Sequence, residues 1–268
     1  MHVTAPFTFT PAPRRLIGKR ALVTGAGSGI GRSVAVRLAQ EGARVGLVGR
    51  RAHMLDETVR LIEAAGGECL ALSADVSQEA QIAGAVQTVV AAWGGLDVLI
   101  GVAGIEPWLK GDGRVHELPL ENWQRIIDIN FTGMFLTGKH GVRALLAGGR
   151  GGSVIITGSP TGLYGGALDE DAYSASKAGC HGLVRIMANE YARDGIRVNC
   201  IVPGFIDTAV NAAAFEDPAG IAAYCANIPL RRPGHPDELA GIYAWLASDD
   251  ASYTTGAFFV VDGGQTAV

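Results

Sequence analysis

The run Thr24-Gly25-Ala26-Gly27-Ser28-Gly29-Ile30-Gly31 decides the fold of this chain. It lies between an apolar segment with the length of a strand, Arg20–Thr24, and an amphipathic segment with the length of a helix, Gly29–Gln40. Glycines in such a turn let the backbone bend tightly and approach a bound group closely, and the first N–H groups of a helix can bind phosphate oxygens. A glycine-rich turn with a strand before it and a helix after it therefore predicts a dinucleotide-binding loop.

Short apolar runs alternate with longer helical patterns along the rest of the chain. The predicted strands are Arg20–Thr24, Arg44–Val48, Glu68–Ser73, Asp97–Val102, Gly152–Thr157, Arg197–Val202 and Ala257–Val261. The predicted helices are Gly29–Gln40, His53–Ala65, Gln78–Trp93, Leu120–Leu146, Ala172–Asp194 and Pro236–Ala247. Several strands are almost continuously apolar, as strands covered on both faces should be. The pattern predicts an α/β fold: a Rossmann-type, doubly wound parallel sheet of about seven strands, with helices on both faces in a three-layer sandwich.

The length and composition favour a single folded domain. The chain has 268 residues, 48% of them hydrophobic, which is enough for one large core. We expect a flexible N-terminal arm at residues 1–17 and one Rossmann-fold domain at residues 18–268. The longest stretch without a predicted strand, at about residues 205–233, is the candidate for a mobile lid.

Charge and residue usage argue against several other classes of protein. The net charge of −4 and the scattered basic residues give no face for nucleic acid, and the apolar runs are too short to span a bilayer. No signal peptide precedes the domain and the four cysteines show no CxxC spacing, so we expect a cytoplasmic protein with reduced thiols, Cys225 being the candidate for exposure. The histidines are dispersed, so no metal site is predicted, and His181 is interpreted as a partly buried helix histidine.

The end of the second predicted strand indicates which cofactor is bound. An acidic residue there would bind a ribose 2′-hydroxyl and favour NAD, whereas an arginine can accommodate a 2′-phosphate. This chain has Gly49-Arg50-Arg51 and no acid at that point. We therefore predict NADP, with NAD still possible because Ser28 in the glycine loop is neutral.

Tyr173 and Lys177 are the candidate chemical groups. They are four residues apart in a predicted helix and so share one face. A free tyrosine has a pKa of about 10, and a neighbouring cation lowers that pKa because it favours the phenolate. The pair therefore predicts a tyrosine that acts as a general acid and base near neutral pH.

Taken together, these motifs make the chain resemble the short-chain dehydrogenase/reductase family, from about Gly18 to Gly264. The residues that carry the resemblance are the glycine loop Thr24–Gly31, Asp75-Val76, Ala103-Gly104, Asn130, Ser159, Tyr173 with Lys177, Pro203-Gly204 and Asp262-Gly263-Gly264. Each motif alone is weak, but together they occur in the family's order and at family-like separations.

The resemblance implies a role for each of four residues in catalysis. Tyr173 would exchange a proton with the substrate oxygen, and Lys177 would hold the nicotinamide ribose and lower the tyrosine pKa. Ser159 would orient the substrate oxygen by a hydrogen bond, and Asn130 would anchor a water of the proton relay. The residues expected to contact the cofactor are Gly25, Ser28, Gly29, Ile30, Gly31, Arg50, Asp75, Val76, Ala103, Gly104, Ile105, Tyr173, Lys177, Pro203, Gly204, Ile206 and Thr208.

The residues themselves leave alternatives open at two of these positions. Asn130 could simply satisfy backbone groups inside its helix, and Ser159 could be a turn serine, with Thr157 or Thr161 supplying the hydroxyl. Compared with the family pattern, the spacing from Ser159 to Tyr173 is one residue longer, and the extra residue falls in Leu168-Asp169-Glu170-Asp171, which contains the acidic run Asp169-Glu170-Asp171. These acids either complement the helix dipole, or one of them reaches the pocket and contacts a substrate hydroxyl or amine.

The pocket is expected to be largely apolar and aromatic. Its predicted walls are residues 160–164, Glu106-Pro107-Trp108 and the lid with Phe205, Phe215 and Tyr224. The resemblance implies transfer of a hydride between NADP(H) and a ketone or secondary alcohol. Because no cluster of Arg or Lys residues flanks the expected entrance, we predict a free cyclic or aromatic substrate rather than one linked to a carrier protein.

Three other functions remain open, and one assembly is expected. The alternatives are a 3-oxoacyl-carrier-protein reductase, to whose carrier Arg231 and Arg232 could bind, an NAD-linked alcohol or sugar dehydrogenase, and a non-catalytic cofactor-binding sensor. The family resemblance also implies a homotetramer built on the two long helices that follow residues 120 and 172 and on the C-terminal strand.

Overall fold

The computed structural model describes residues 14–105, 111–165, 168–208 and 217–267. Its centre is a sheet of seven parallel strands in the order β3-β2-β1-β4-β5-β6-β7. The strands are β1 (Arg20–Thr24), β2 (Arg44–Gly49), β3 (Glu68–Ser73), β4 (Val98–Gly101), β5 (Gly152–Thr157), β6 (Ile196–Pro203) and β7 (Phe258–Val261). Every predicted strand is present, to within one residue at each end. The Rossmann-type, doubly wound sheet is confirmed.

Helices cover both faces of this sheet. The described helices are α1 (Gly29–Gln40), α2 (Ala52–Ala64), α3 (Glu79–Trp93), α4 (Leu120–Ile127), α5 (Gly133–Gly148), α6 (Asp171–Glu190), α7 (Pro218–Cys225) and α8 (Pro236–Ala247). One apolar cluster packs α1, α2 and α8 against the first face, and a second packs α3, α5 and α6 against the other. The predicted three-layer arrangement is therefore present.

The sequence of α1 explains why it forms and how it docks. Its buried residues recur at the spacing of one helix face, namely Gly31, Val34, Ala35, Leu38 and Ala39. This face packs on the sheet beside β1, so the glycine loop is held at the carboxyl end of that strand. The strand order reverses between β1 and β4, and open α/β sheets bind their ligands in the crevice at such a point.

The helix predicted at Leu120–Leu146 has an internal break in its regular pattern. α4 and α5 are joined by a π-helical turn at Asp128–Thr132, and the helix continues to Gly148. The flanking residues keep helical dihedral angles, so the chain does not bend away into a loop. A π-helical turn inserts one extra residue into the helix, and here it contains Asn130.

The last residues of the predicted N-terminal arm are packed against the domain. Leu16 is fully buried, its N–H donates to the Glu41 carbonyl, and Arg15 forms an ion pair with the Glu41 carboxylate. Residues 1–13, which make up the rest of the predicted arm, lie outside the described residues. The boundary of the domain at residue 18 stays a prediction.

The described part of the predicted lid contains a helix, α7, that the sequence analysis did not identify. Asp217 caps α7 by accepting a hydrogen bond from the Ala219 N–H, and the rings of Phe205 and Tyr224 lie 4.6 Å apart. Phe215 lies outside the described residues. The expectation that Cys225 is exposed is wrong, because the residue at the end of α7 is buried.

The helix face expected to mediate tetramer formation is divided between core and surface. Val184 and Met187 of α6 are buried in the protein's own core, whereas Ile186 is 48% exposed. A Cβ added at Gly182 would have no heavy atom within 4 Å. The homotetramer itself stays a prediction.

Two general searches complete the description of the fold. Among the residues that the structure describes, no helix is both long and apolar enough for a bilayer crossing. Within the same ranges, His, Cys, Asp and Glu side chains do not form a group of three that could hold a metal ion.

Candidate active site

A cavity of about 1270 Å³ opens at the carboxyl ends of the central strands. It contains most of the residues that the sequence predicts for the site. Those that line it are Gly25, Ser28, Gly29, Ile30, Gly31, Arg50, Val76, Ala103, Gly104, Ile105, Ser159, Tyr173, Lys177, Pro203, Gly204, Ile206 and Thr208. Asp75 and Asn130 are not among the lining residues. The predicted wall at Glu106-Pro107-Trp108 lies outside the described residues.

The glycine loop forms a cradle that side chains would fill. Gly25 has a φ of +74°, and a Cβ added there would lie 2.9 Å from the Ala103 nitrogen. Gly29 has a φ of +52°, and its added Cβ would lie 3.1 Å from Cγ2 of Thr208. Both positions therefore require glycine, for conformation and for space. The loop brings β1, β4 and the segment after β6 together around one opening.

The start of α1 suits an anionic group. Ser28 precedes the helix in an extended conformation, and its side chain accepts no capping hydrogen bond from the described backbone. No acidic residue occupies the first turn. The positive end of the helix dipole and the first N–H groups are thus available to the diphosphate of a dinucleotide, which fits this cradle.

Arg50 lies at the end of β2 with an exposed guanidinium group. Its side chain is 54% exposed, and Nη1 lies 3.8 Å from Oδ2 of Asp75. The other carboxylate oxygen of Asp75 accepts hydrogen bonds from the backbone and hydroxyl of Ser77. Asp75 therefore stands beside the cavity wall formed by Ala74 and Val76, where it faces the predicted phosphate-binding arginine.

Tyr173 and Lys177 lie on the face of α6 that borders the cavity. They are 8% and 4% exposed, and Nζ of Lys177 lies 5.6 Å from the centre of the tyrosine ring. The same Nζ donates to the Thr157 carbonyl at 3.1 Å. This bond to the last residue of β5 fixes the ammonium group beside the phenol.

Asn130 lies behind the cavity and braces its wall. The amide Oδ1 accepts from the Ile105 N–H at 2.8 Å, and Nδ2 donates to the Ile105 carbonyl at 3.0 Å. A Cβ added at Gly104 would lie 3.3 Å from Asn130 Oδ1 and 3.9 Å from Lys177 Nζ. The asparagine side chain thus satisfies backbone groups of the loop after β4, and not those of its own helix, as the alternative interpretation expected. Its own carbonyl accepts a hydrogen bond from the Cys180 thiol at 3.4 Å.

Ser159 lies in the loop after β5, and its neighbours distinguish the candidate hydroxyls. Its Oγ is 3.1 Å from Oγ1 of Thr161, and both residues line the cavity. Oγ1 of Thr157 instead bonds the buried Tyr243 hydroxyl at 2.7 Å. The Thr157 hydroxyl is therefore committed to the core.

His181 holds the loop that carries Ser159. Its Nε2 accepts from the Ser159 N–H at 3.4 Å, and its Nδ1 lies 3.2 Å from the Gly162 carbonyl. Burial lowers the pKa of His181 from 6.5 to about 4, although the bond to Gly162 opposes that shift. A neutral ring with its proton on Nδ1 satisfies both contacts. The sequence analysis predicted the burial of this histidine and missed its contact with the serine loop.

Asp112 is a second residue that sequence reasoning missed. Its carboxylate accepts hydrogen bonds from the N–H groups of Ala172 at 3.0 Å and Tyr173 at 2.8 Å. The acid that caps α6 therefore comes from a loop 60 residues away. Asp171, in the predicted acidic run, binds the Val115 N–H at 2.7 Å and so ties the same loop to α6.

The end of the cavity beyond Tyr173 contains polar groups from three elements. Glu170 is 8% exposed and lines the cavity, as do Tyr224 of α7 and Gln265 after β7. Gln265 Nε2 donates to the Tyr224 hydroxyl at 3.1 Å. Glu170 is thus a residue of the acidic run that borders the cavity, and contact of a carboxylate of this run with the substrate stays a prediction.

The sequence is similar to known proteins over nearly its whole length. The sequence model of a family described as enoyl-(acyl carrier protein) reductase matches residues 25–266. The cis-4-hydroxycyclohexanecarboxylate dehydrogenase of Sinomonas cyclohexanicum is 42% identical over 250 residues, which cover 92% of this chain and 96% of that protein. The glucose 1-dehydrogenase of Gluconobacter oxydans is 38% identical over 264 residues and 96% of each chain.

A solved structure of a related protein has the same fold. A protein of Agrobacterium tumefaciens with bound NADP is 35% identical, with a TM-score of 0.85 over 96% of this chain and 99% of that one. The family model spans nearly the whole domain and includes most of the glycine loop, the loop that carries Ser159, and α6. The chain belongs to the short-chain dehydrogenase/reductase family, and it is an oxidoreductase that acts on CH–OH and C=O groups.

Proposed function

We propose that this protein is an NADP(H)-dependent oxidoreductase that interconverts a secondary alcohol and a ketone, with Tyr173 as the general acid and base. One observation carries the proposal. Tyr173, Lys177 and Ser159 line the same cavity as a glycine cradle whose shape and helix end suit a dinucleotide.

The residues of the chain divide the proton chemistry among them. In alcohol oxidation, the Tyr173 phenolate oxygen accepts the proton of the substrate hydroxyl, and in the reverse direction the phenol returns it. Lys177 stabilises the phenolate by its charge, and the Ser159 hydroxyl bonds the substrate oxygen and orients it. The bound nicotinamide supplies the hydride chemistry.

Asn130 supports this arrangement from behind the cavity wall. Its hydrogen bonds with Ile105 hold the loop after β4, next to Gly104 and the Lys177 ammonium. We propose that a water bound near Asn130 connects Lys177 to solvent, as the family resemblance implies. The thiol of Cys180 donates to the Asn130 carbonyl, so it would compete with a water that donates to the same oxygen.

Two observations favour NADP over NAD. The exposed guanidinium of Arg50 follows β2, where a ribose 2′-phosphate is recognised in this fold. A related structure contains NADP. Asp75 lies 3.8 Å from that guanidinium, so its charge opposes the phosphate and should make the preference moderate.

The substrate is proposed to be a free small molecule with a secondary alcohol on a ring. The relatives named above act on a hydroxycyclohexane ring and on glucose by their names. Tyr164, Phe205 and Tyr224 give the cavity aromatic walls, which suit a ring. Arg232 is bound by Glu238 and the Arg231 guanidinium by the Ala226 carbonyl, so both candidate carrier-binding arginines have partners in the protein.

The finer expectations on location and assembly are part of the same proposal. We propose a cytoplasmic homotetramer with a single domain from residue 18. The exposed side chains of Phe135 on α5, Ile186 on α6 and Val260 on β7 support an interface at these elements.

The test is to measure turnover of cyclic and aromatic alcohols and ketones. Nicotinamide absorbance reports the rate, with NADP(H) and NAD(H) assayed in parallel. We expect turnover with a higher kcat/KM for NADP. Arg50→Ala should lower kcat/KM for NADP about tenfold and leave that for NAD unchanged, because a charged hydrogen bond to the phosphate is lost. Arg60→Ala, an exposed arginine of α2 outside the cavity, is the matched control. Preference for NAD, or equal losses with both cofactors, would contradict the NADP assignment.

A further inference from the structure

We propose that Arg231 binds a carboxylate group of the substrate, and hence that the preferred substrate is a ring alcohol or ring ketone that also carries an acid group. The inference rests on the proposed function, which it deepens by naming the substrate class. Arg231 lies in the segment between α7 and α8, and it lines the same cavity as Tyr173.

Arg231 adopts a backbone conformation that favours glycine. Its φ is +59°, in the left-handed region that a long side chain rarely occupies because Cβ crowds the backbone there. Its N–H donates to the Ile228 carbonyl at 2.8 Å, which holds the turn in this conformation. Strained residues of this kind cluster at ligand sites, so the conformation points to a role for the arginine side chain.

The guanidinium group of Arg231 retains donors for a ligand. Its Nη1 donates to the Ala226 carbonyl, and no described Asp or Glu forms an ion pair with it. A carbonyl is a neutral acceptor, so this bond uses one N–H and leaves the positive charge uncompensated. The neighbouring Arg232 differs, because both of its Nη atoms donate to the Glu238 carboxylate at 2.7 Å.

The loop that carries Arg231 is fixed to the sheet on two sides. The Leu230 N–H donates to the Gly263 carbonyl at 3.1 Å, which ties the loop to the segment after β7. The Gly234 N–H donates to the Phe205 carbonyl at 2.9 Å, which ties it to the segment after β6. The guanidinium therefore extends from a preorganised base, which lowers the cost of ordering it on a ligand.

The strand order places Arg231 at the substrate end of the cavity. β6 and β7 are the first and second strands beyond β5, whose following loop carries Ser159. Neighbouring strands are about 4.8 Å apart, so the base of the arginine loop lies about 5–10 Å across the sheet from the end of β5. The end of β2, with Arg50, is about 19–24 Å away by the same spacing. Arg231 is thus well placed for a substituent on the substrate ring and remote from the predicted 2′-phosphate.

The charges in the cavity wall decide which substituent benefits from Arg231. A guanidinium binds a carboxylate through two parallel, charge-assisted hydrogen bonds, which a neutral group cannot match. Glu170 also lines the cavity, and its negative charge would repel an acidic substrate that has no cation beside it. A substrate carboxylate therefore depends on the Arg231 charge, whereas a neutral ring gains little from it.

Two ring alcohols of nearly the same shape test the proposal: 4-hydroxycyclohexanecarboxylate and its neutral amide, 4-hydroxycyclohexanecarboxamide. For the wild-type enzyme we expect kcat/KM for the acid to exceed that for the amide about tenfold. Arg231→Gln should remove this preference, because the charge is lost while a polar side chain is kept. Arg60→Gln is the matched control and should leave the ratio unchanged, since Arg60 is also exposed and also donates to a backbone carbonyl, but lies outside the cavity.

A second variant keeps the test decisive if Arg231→Gln does not fold. Arg231→Gly removes the charge and suits the φ of +59°, so its urea midpoint should equal or exceed that of the wild type while the acid preference is lost. A wild-type enzyme that does not prefer the acid, or an acid preference that survives in both variants, would overturn the proposal. Equal losses for acid and amide with a raised KM for NADP would assign the guanidinium to the cofactor and would also overturn it.

Binding measurements separate this outcome from failure of the proposed function. Cyclohexanecarboxylate and cyclohexanecarboxamide lack the reacting hydroxyl, so calorimetric titration of each into the enzyme–NADP complex reports affinity without turnover. Tighter binding of the acid that weakens with added salt and is lost in Arg231→Gln would support the site even if no ring alcohol is oxidised, in which case the proposed chemistry fails alone. Turnover of the hydroxy amide without any preference for the acid in binding would reject the site and leave the chemistry intact.

Discussion

At the scale of single residues, His181 shows how α6 holds the loop that carries Ser159. Tyr173, Lys177 and His181 follow one another at intervals of four residues and so share a face of α6. The first two meet the cavity, and the third binds the loop through Ser159 and Gly162. Helix and loop therefore hold their two hydroxyl groups in one fixed relation.

Substitution of His181 should lower the rate more than it weakens cofactor binding. His181→Leu removes both contacts to the loop, and a small displacement of Ser159 should lower kcat about tenfold or more because orientation of the substrate oxygen is lost. His181→Gln keeps an acceptor for the Ser159 N–H and should recover part of kcat. The measurement is kcat and the KM for NADP of both variants. Equal kcat in the wild type and His181→Leu would refute the positioning role.

The same histidine should give stability a defined pH dependence. Its pKa is about 4 in the fold against an ordinary 6.5, so between these values the unfolded chain binds the proton and the folded chain does not. Stability should therefore fall as pH is lowered from 6.5 towards 4, and this part of the slope should be absent in His181→Gln. Urea unfolding at several pH values measures both slopes.

At the scale of elements, the N-terminus of α6 depends on a carboxylate from another part of the chain. Asp112 accepts from the N–H groups of Ala172 and Tyr173, so it acts as the cap that Glu170 does not provide by its side chain. Its negative charge also complements the positive end of the helix dipole. The cap fixes the helix turn that carries Tyr173.

Loss of this cap should destabilise the protein and disturb the site. Asp112→Ala should lower the free energy of unfolding by about 1–2 kcal/mol, the usual range for a lost helix cap. Asp112→Asn keeps an acceptor without the charge and should lose less. Urea unfolding of both variants tests the order, and equal stability of wild type and Asp112→Ala would exclude a capping role.

The sequence predicted the elements well where local pattern determines them. The glycine loop, β1 and α1 were identified with their observed bounds because apolar periodicity and turn glycines are local signals. The π-helical turn at Asp128–Thr132 left no such signal, since its one extra residue is absorbed within a continuous helix. The Asp112 cap was equally invisible, because it depends on a contact across 60 residues.

At the scale of the whole molecule, the parallel sheet assembles a site from segments that are distant in sequence. The order of strands places the loops after β1, β4, β5 and β6 around one cavity, and this followed from the α/β pattern and the family resemblance. The arrangement of residues at the end of the cavity beyond Tyr173 did not follow from that pattern or from the resemblance. Glu170, Tyr224 and Gln265 come from three separate segments, and only packing brings them together. The part of the site expected from the family resemblance was thus predictable, and the grouping of polar residues at the other end was mostly not.

The central claim is that Tyr173 exchanges the proton while the rest of the cavity binds the cofactor. The most direct measurement compares Tyr173→Phe with the wild type in nicotinamide absorbance with a ring alcohol, alongside fluorescence titration of NADPH. The account predicts that kcat falls by about 10²–10⁴-fold, the usual contribution of a general acid and base, while the dissociation constant for NADPH stays unchanged. Turnover by Tyr173→Phe at the wild-type rate would contradict the account.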